Sequence, residues 1–439
     1  MMTAFNPLRT LPEMAGYKPG DVLVIFGEVF GRGYVNGLID AAEAAGMHVV
    51  YGTVGRRGDD GNLRPLTDEE LVEKGHGPIV NVPLEAGFDK EDMGGGNTLV
   101  DALNGVGKDW QTATLDFDAI ERARVKGETR FRGQVSDWLE ALKPHLHDGA
   151  NVLIAHTMAG GIPASKRVLA VSNRVFKGTG DRHQSSQEYW ESAMGQACAI
   201  SFEEVTAQTL RHLIELSARL REDIKKSGGS VNIVAYGYHG TECMMEGAYR
   251  WQTYAPYLQG FAKQALEKVA EEAQAAGTSV GVFNAPEILT NSSGIFVGVE
   301  LPLYRLILAI EQEAPDLAEQ VKDMCAAKLN EGRGGLTSIR KILQNFHRAP
   351  EVQYLVKFDD WPQHNTADHM TIMINSASEL RGLHSDGNDL ITGDLSRLVF
   401  EACGHIMLHQ SDKLDAPVYW LGHDIVAKAL ANIGISAST

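Results

Sequence analysis

The chain has 439 residues, 44% hydrophobic and 22% charged, the make-up of a folded globular protein rather than a disordered one. Forty Lys and Arg against fifty-seven Asp and Glu leave a formal charge of −17, a field that repels nucleic acids and anionic membrane surfaces. Four cysteines, Cys198, Cys243, Cys325 and Cys403, stand far apart without paired spacing, which excludes a disulfide framework or a zinc knuckle and points to a reducing cytoplasm.

In chain order, residues 21–26 (DVLVIF) read as a buried strand, 34–46 (YVNGLIDAAEAAG) as a helix ended by glycine, and 47–54 (MHVVYGTV) as a second strand, which together make a βαβ unit. Between 58 and 110 the pattern dissolves into glycine- and acid-rich sequence too long for an ordinary connection, read as an insertion suited to a lid. Residues 112–118 (TATLDFD) resume as a third strand, 135–145 as a helix, and 151–161 (NVLIAHTMAGG) as a fourth strand opening into a small-residue loop. A long helical region at 201–226 carries Phe202, Val205, Leu210, Leu213, Ile214 and Leu220 on one face. Then come strand 231–242 (VNIVAYGYHGTE), helix 258–277 and strand 278–290 (TSVGVFNAPEILT). Beyond about residue 330 the only legible element is a helix over 395–410.

Short apolar runs alternating with amphipathic helices imply an α/β fold: a Rossmann-type doubly wound parallel sheet with inserted loops and a C-terminal extension. The expected organisation is one catalytic, dinucleotide-binding domain over residues 1–330, interrupted at 58–110, with 331–439 packed on the same domain. The start of the chain lacks the basic and apolar regions of a secretory signal. The most apolar later stretch, 295–310, is broken by Glu300, Pro302 and Arg305, so no membrane insertion is expected.

Two constellations carry chemistry. Gly27, Gly31 and Gly33 lie in GEVFGRG between a buried strand and a helix, where missing side chains let a dinucleotide approach the amides at the helix N-terminus. A tight turn is the plainer alternative. At the end of the second strand, Arg56 and Arg57, with Arg32 of the glycine loop, suit a 2′-phosphate and favour NADPH, with NADH as second choice. The second constellation is Tyr254 and Lys263, with eight residues between them at the entrance to a helix. An ammonium beside a phenol favours phenolate and prepares the phenol to donate to an oxygen that gains charge.

With these elements in place the chain resembles the short-chain dehydrogenase/reductase superfamily, and within it the enoyl-thioester reductases, particularly the V-type enoyl-acyl-carrier-protein and trans-2-enoyl-CoA reductases. The resemblance rests on the Gly27–x–x–x–Gly31–x–Gly33 turn, the Tyr254/Lys263 pair, the segment AYGYHGTE and the stretch TNSSGIFVGVELPLY from Thr290. It implies NADPH-dependent reduction of the C=C bond of an enoyl thioester in fatty-acid metabolism. Tyr254 then stabilises the enolate oxygen, Lys263 holds the nicotinamide ribose, and Tyr238 is a second donor to the thioester oxygen. Pro286 and Thr290 lie along the nicotinamide and pyrophosphate, Asp116 or Asp118 near the adenine, and Ala159 to Gly161 under the ribose. The implied partners are the thioester and its carrier, CoA or acyl carrier protein, with homo-oligomerisation left open.

The interval from Tyr238 to Tyr254 is longer than the V-type pattern, and Thr241 stands thirteen positions before Tyr254, where carbonyl reductases of the superfamily place a catalytic Ser or Thr. A carbonyl reductase on the same scaffold is thus the alternative, and a non-catalytic NADP(H)-binding sensor a more distant one. No metal is expected: the pairs His364/His369 and His405/His409 lack further ligands, and His156 reads as a packed or cofactor-neighbouring residue.

Overall fold

A computed structural model describes residues 5–59, 63–238, 240–253, 259–290, 296–361 and 363–434. Seven strands form one parallel sheet: β1 (Val22–Phe26), β2 (His48–Thr53), β3 (Ile79–Pro83), β4 (Val152–His156), β5 (Val231–Gly237), β6 (Val280–Asn284) and β7 (Val418–Trp420). Across the sheet they run β3-β2-β1-β4-β5-β6-β7. The chain starts in the middle at β1, winds to one edge through β3, and then crosses to β4 and winds the other way. Its direction therefore reverses between β1 and β4, where the strand ends leave a crevice at their carboxyl side.

Strands buried on both faces read as unbroken apolar runs, and β1, VLVIF, is buried along its whole length. The two faces are nonetheless distinct. Leu23, Ile25, Leu153, Val234 and Phe283 face one core, under α1 (Val35–Ala44) and two C-terminal helices, whereas Val22, Val24, Phe26, Ile154, Ile233 and Val282 face the other, under α2 (Phe117–Leu142) and α3 (Gln259–Ala275). The C-terminal pair are α4 (Ile391–Ser411), buried along most of its length, and α5 (His423–Ile433). At the crossing of α1 and α4, Gly37 meets Gly404. A Cβ on Gly404 would stand 2.0 Å from the Gly37 carbonyl carbon, so the two backbones touch directly.

Three expectations are corrected. The third strand is not at 112–118 but at Ile79–Pro83, inside the stretch read as an insertion. Residues 112–118 instead lead into α2, whose N-cap is Asp116: its carboxylate accepts the Ala119 N–H at 2.9 Å, and this local bond prevails over the β-branched composition. A seventh strand, Val418–Trp420, pairs Val418 to Trp420 with Val282 to Asn284, and the N-terminal segment pins its far side through Leu8 N–H to the Trp420 carbonyl at 2.9 Å. Three residues are too few to show a period. After β5 an antiparallel hairpin, Thr241–Met245 with Ala248–Gln252, stands over the strand ends.

Candidate active site

The glycine turn sits where β1 and β4 diverge. Gly27 has φ 130°, and a Cβ there would come within 2.3 Å of Thr157 Oγ1, so only glycine lets the turn after β1 lie against the turn after β4. Gly31 and Gly33 differ: an added Cβ would meet nothing within 4 Å, so the fold itself does not demand them and the backbone there stays open to a ligand. Arg32 between them is exposed. A cleft of about 440 Å³ opens beside this turn, bounded by Gly27, Val54, Arg57, Glu85, Thr157 and Ala159 among others.

Its floor carries a carboxylate that no sequence motif marks, Glu28. Glu28 is buried, and its oxygens accept from Val54 N–H at 3.1 Å, from both terminal nitrogens of Arg56 at 3.2 and 2.9 Å, and from Lys74. Burial opposes ionisation, but the hydrogen bonds from Arg56 and Lys74 outweigh it and bring the carboxyl down to about 2. Arg57 is paired with Glu85, which also holds Arg130 at 3.1 Å. Two of the three arginines expected at a 2′-phosphate, Arg56 and Arg57, are thus already engaged by carboxylates, while Arg32 is exposed. Asp116 is spent on its helix cap, and the acid that follows the true third strand is Glu85.

The other half of the site lies at the ends of β5 and β6. Lys263 on α3 donates to the Tyr236 carbonyl at 2.6 Å; half-buried as a residue, its ammonium is nevertheless desolvated enough to be pushed down to about 8. His156 at the end of β4 is buried, pushed down to about 3 by burial and then by the Lys263 charge, and bonded to Thr209 Oγ1 at 2.9 Å. Tyr34 donates to the Pro286 carbonyl, tying the start of α1 to the loop after β6. Thr290, farther along that loop, is half-buried. Tyr254 lies outside the described residues, as does the 291–295 part of the stretch that follows Thr290.

Tyr238, one residue beyond β5, is 8% exposed and walled by Trp251 and Trp361. Its hydroxyl donates to Glu287 Oε1 at 2.7 Å and lies 3.0 Å from Thr253 Oγ1, while Thr241 donates to the other oxygen of Glu287. Tyr238 and Thr241, rival donors in the sequence reading, thus share one buried carboxyl. In the sequence Glu287 is a lone acid in the apolar run NAPEIL and Glu28 an acid inside the glycine loop, and no motif marks either. The histidine pairs have protein partners: His409 accepts from Ala15 N–H at 3.0 Å, and His369 lies 3.0 Å from the Tyr354 hydroxyl. Among the described residues no group of three or more His, Cys, Asp or Glu could hold a metal ion, and no helix is long and apolar enough to cross a membrane.

A doubly wound parallel sheet with an open glycine turn at its switch point, a lysine on the helix after β5 and clustered hydroxyls at the strand ends defines a dinucleotide-dependent oxidoreductase. The chain belongs to the family of the enoyl-acyl carrier protein reductase FabMG, whose model matches residues 4–430. It is an enoyl-acyl carrier protein reductase of fatty-acid synthesis, dependent on NAD(P)H, as the enoyl-reductase resemblance implied. The apo structure of FabMG, described as a novel type of enoyl-acyl carrier protein reductase, is 44% identical over 97% of this chain and 98% of its own, with a TM-score of 0.92. An NADH-bound FabMG structure is 38% identical over the same shares, with a TM-score of 0.78. No curated protein matches.

Proposed function

We propose that the chain reduces its carrier-bound enoyl thioester with NADH in preference to NADPH, with Lys263 at the nicotinamide ribose and Tyr238 donating to the thioester oxygen. The observation that carries the cofactor choice is the buried Glu28 carboxylate under the cleft, which occupies both terminal nitrogens of Arg56. At the end of the second strand a 2′-phosphate has to compete with Glu28 for Arg56 and with Glu85 for Arg57, meeting two negative charges as it does so, which leaves Arg32 of the glycine loop as the remaining arginine of the expected set. A 2′-hydroxyl meets neither obstacle and can donate to a carboxylate. The NADH held by the relative supports the same choice.

The residues present fit a dinucleotide: the Gly31 and Gly33 backbone is unobstructed, the cleft holds about 440 Å³, and α1 begins immediately beyond the turn. When bound, the cofactor supplies a hydride to the β-carbon of the enoyl thioester, leaving an enolate. The Tyr238 hydroxyl, one residue past β5, gives its single hydrogen to Glu287 in this structure and has to turn it to reach the thioester oxygen, where a donor aimed at an oxygen that gains charge is worth a few kcal/mol in a site closed to water. Lys263, with one hydrogen bond committed to Tyr236, keeps two N–H groups for ribose hydroxyls. Tyr254 keeps the enolate-stabilising role that the resemblance gives it.

Consumption of NADH and NADPH with a crotonyl-carrier protein, and with crotonyl-CoA in parallel, tests this reading. We expect kcat/KM to favour NADH by about tenfold or more, which corresponds to roughly 1.4 kcal/mol. Equal or better use of NADPH overturns the cofactor assignment and returns Arg56 and Arg57 to a 2′-phosphate. An undiminished rate in Lys263→Met removes the lysine from the site.

A further inference from the structure

Glu287 is the strongest feature near the site that the proposed function leaves unused. It is 4% exposed and stands three residues past β6, and its two oxygens take one hydroxyl each: Tyr238 from the end of β5 and Thr241 from the first foot of the hairpin. Through Tyr238 it also reaches Thr253, at the other foot. One carboxyl therefore ties together two sheet strands and both ends of the hairpin.

Donor and acceptor counting shows why such a group cannot be inert. An ionised carboxylate only accepts, so it takes the single hydrogen of Tyr238, and Thr253 then has to be the donor in the 3.0 Å contact with the phenol oxygen. A neutral carboxyl has a hydrogen of its own to give. If Oε1 carries it, the 2.7 Å bond between Tyr238 and Glu287 runs in reverse, Glu287 donates to the phenol oxygen, and the phenol hydrogen is released toward another acceptor. The direction of one hydrogen bond thus depends on one proton.

We propose that Glu287 is a positioning residue which presents the Tyr238 hydroxyl hydrogen to the substrate oxygen when neutral and withdraws it when ionised. The inference rests on the role given to Tyr238 above. It involves no covalent step: Glu287 keeps its proton through the reaction and acts only on the orientation of the phenol.

The surroundings place the switch in a physiological range. No Lys, Arg or His among the described residues forms an ion pair with Glu287. The titratable groups packed near it are Tyr238 and the buried Cys243, itself raised by burial and then by Glu287, with Arg305 and Glu242 beyond. Ser396 on α4 takes up the Leu289 N–H at 2.9 Å and carries no charge to the carboxyl. Burial pushes the Glu287 carboxyl up to about 7 against the opposing bonds from Thr241 and Tyr238. The competent form is therefore the acidic one, lost as pH rises through about 7.

Two readouts decide it. In ligand-free protein, difference infrared spectroscopy over a pH titration should show a protonated-carboxyl band with a midpoint near 7 that Glu287→Gln lacks. In Tyr238→Phe the band should persist with a higher midpoint, since the carboxylate loses a donor, and this holds even where the glutamine variant folds poorly. In turnover, the parent should lose rate above about 7, by about tenfold per pH unit well beyond the midpoint, whereas Glu287→Gln should lose that limb and fall only with the Lys263 ammonium near 8. No such band in the parent, a band surviving in Glu287→Gln, or the same limb in both proteins overturns the proposal. If Tyr238→Phe turns over at the full rate, the role given to Tyr238 under the proposed function falls and the positioning role with it. If Tyr238→Phe is crippled but the limb is unchanged in Glu287→Gln, the positioning role alone falls.

Discussion

Lys263 stands out in the sequence through its spacing from Tyr254 and Asp116 only through the superfamily resemblance, and the structure separates them by what their atoms touch. Asp116 Oδ1 accepts the Ala119 N–H at 2.9 Å and closes the N-terminus of a 26-residue helix. Asp116→Ala should therefore lower stability by about 1 kcal/mol, read as a fall in Tm, with the KM for NADH unaltered; a raised KM would restore the residue to the adenine site. Lys263 places an ammonium at the end of β5, 2.6 Å from the Tyr236 carbonyl, and its burial has no compensating carboxylate bond among those described. Lys263→Met should leave Tm little changed or raised and, if the lysine holds the nicotinamide ribose as proposed, lower kcat/KM by roughly 10²-fold, because a desolvated charge destabilises the fold while serving turnover. The glycine turn was legible because its residues are contiguous. Glu28, Arg56 and Lys74 were not, since three residues that meet on one carboxylate are spread over almost fifty positions and no local pattern joins them.

At the scale of elements, the strands buried on both faces were legible and the rest depended on contacts. β1, β2, β4, β5 and β6 each carry at least four consecutive buried residues, enough for an apolar run to stand out. β3 was hidden by Asn81 and Pro83 and by its half-exposed edge position, and β7 by its length of three residues. The C-terminal helix α4 was visible, but not its partner. Gly404 reads as a helix-weakening residue until Gly37 is seen against it. Gly404→Ala should thus cost about 1–3 kcal/mol through overpacking, even though alanine is the better helix former. It should also weaken NADH binding, because α1 leads directly from the glycine turn. Gly393→Ala is the control on the same helix: an added Cβ there meets nothing within 4 Å, so the variant should gain up to about 1 kcal/mol. Equal effects of the two substitutions on Tm would show that the crossing is looser than the backbone contact implies.

For the whole molecule, the interior holds titratable groups of opposite sense, and their balance sets the response to acid. Burial, followed by the Lys263 and Arg305 charges respectively, pushes the imidazoles of His156 and His423 down to about 3 from an ordinary value of 6.5. As pH falls below 6.5 the unfolded chain binds protons that these two residues refuse when folded, so stability declines over the window from 6.5 to about 3. Glu28, brought down from 4.5 to about 2, adds to the decline between those values. Glu287 works the other way: raised from 4.5 to about 7, it binds a proton in the folded state that the unfolded chain has released, and so favours folding at the acid end of that interval. Between 6.5 and 4.5 the imidazoles of His156 and His423 outnumber the one carboxyl, and His409, pushed down to about 4 by burial and then by the His405 charge, adds to them, so unfolding takes up protons and stability falls with pH. Below 4.5 the Glu287 contribution is complete and Glu28 joins the imidazoles, so the loss should steepen. Thermal unfolding measured from pH 6.5 to 4 should accordingly give a Tm that falls throughout and faster at the acid end. In Glu287→Gln the opposing carboxyl is gone, and the fall between 6.5 and 4.5 should be steeper than in the parent. A Tm that is flat or rises on acidification from 6.5 to 5 would mean that the two histidines are protonated in place, and with them the packing of β4 against Lys263 and of α5 against Arg305 would need to be redrawn.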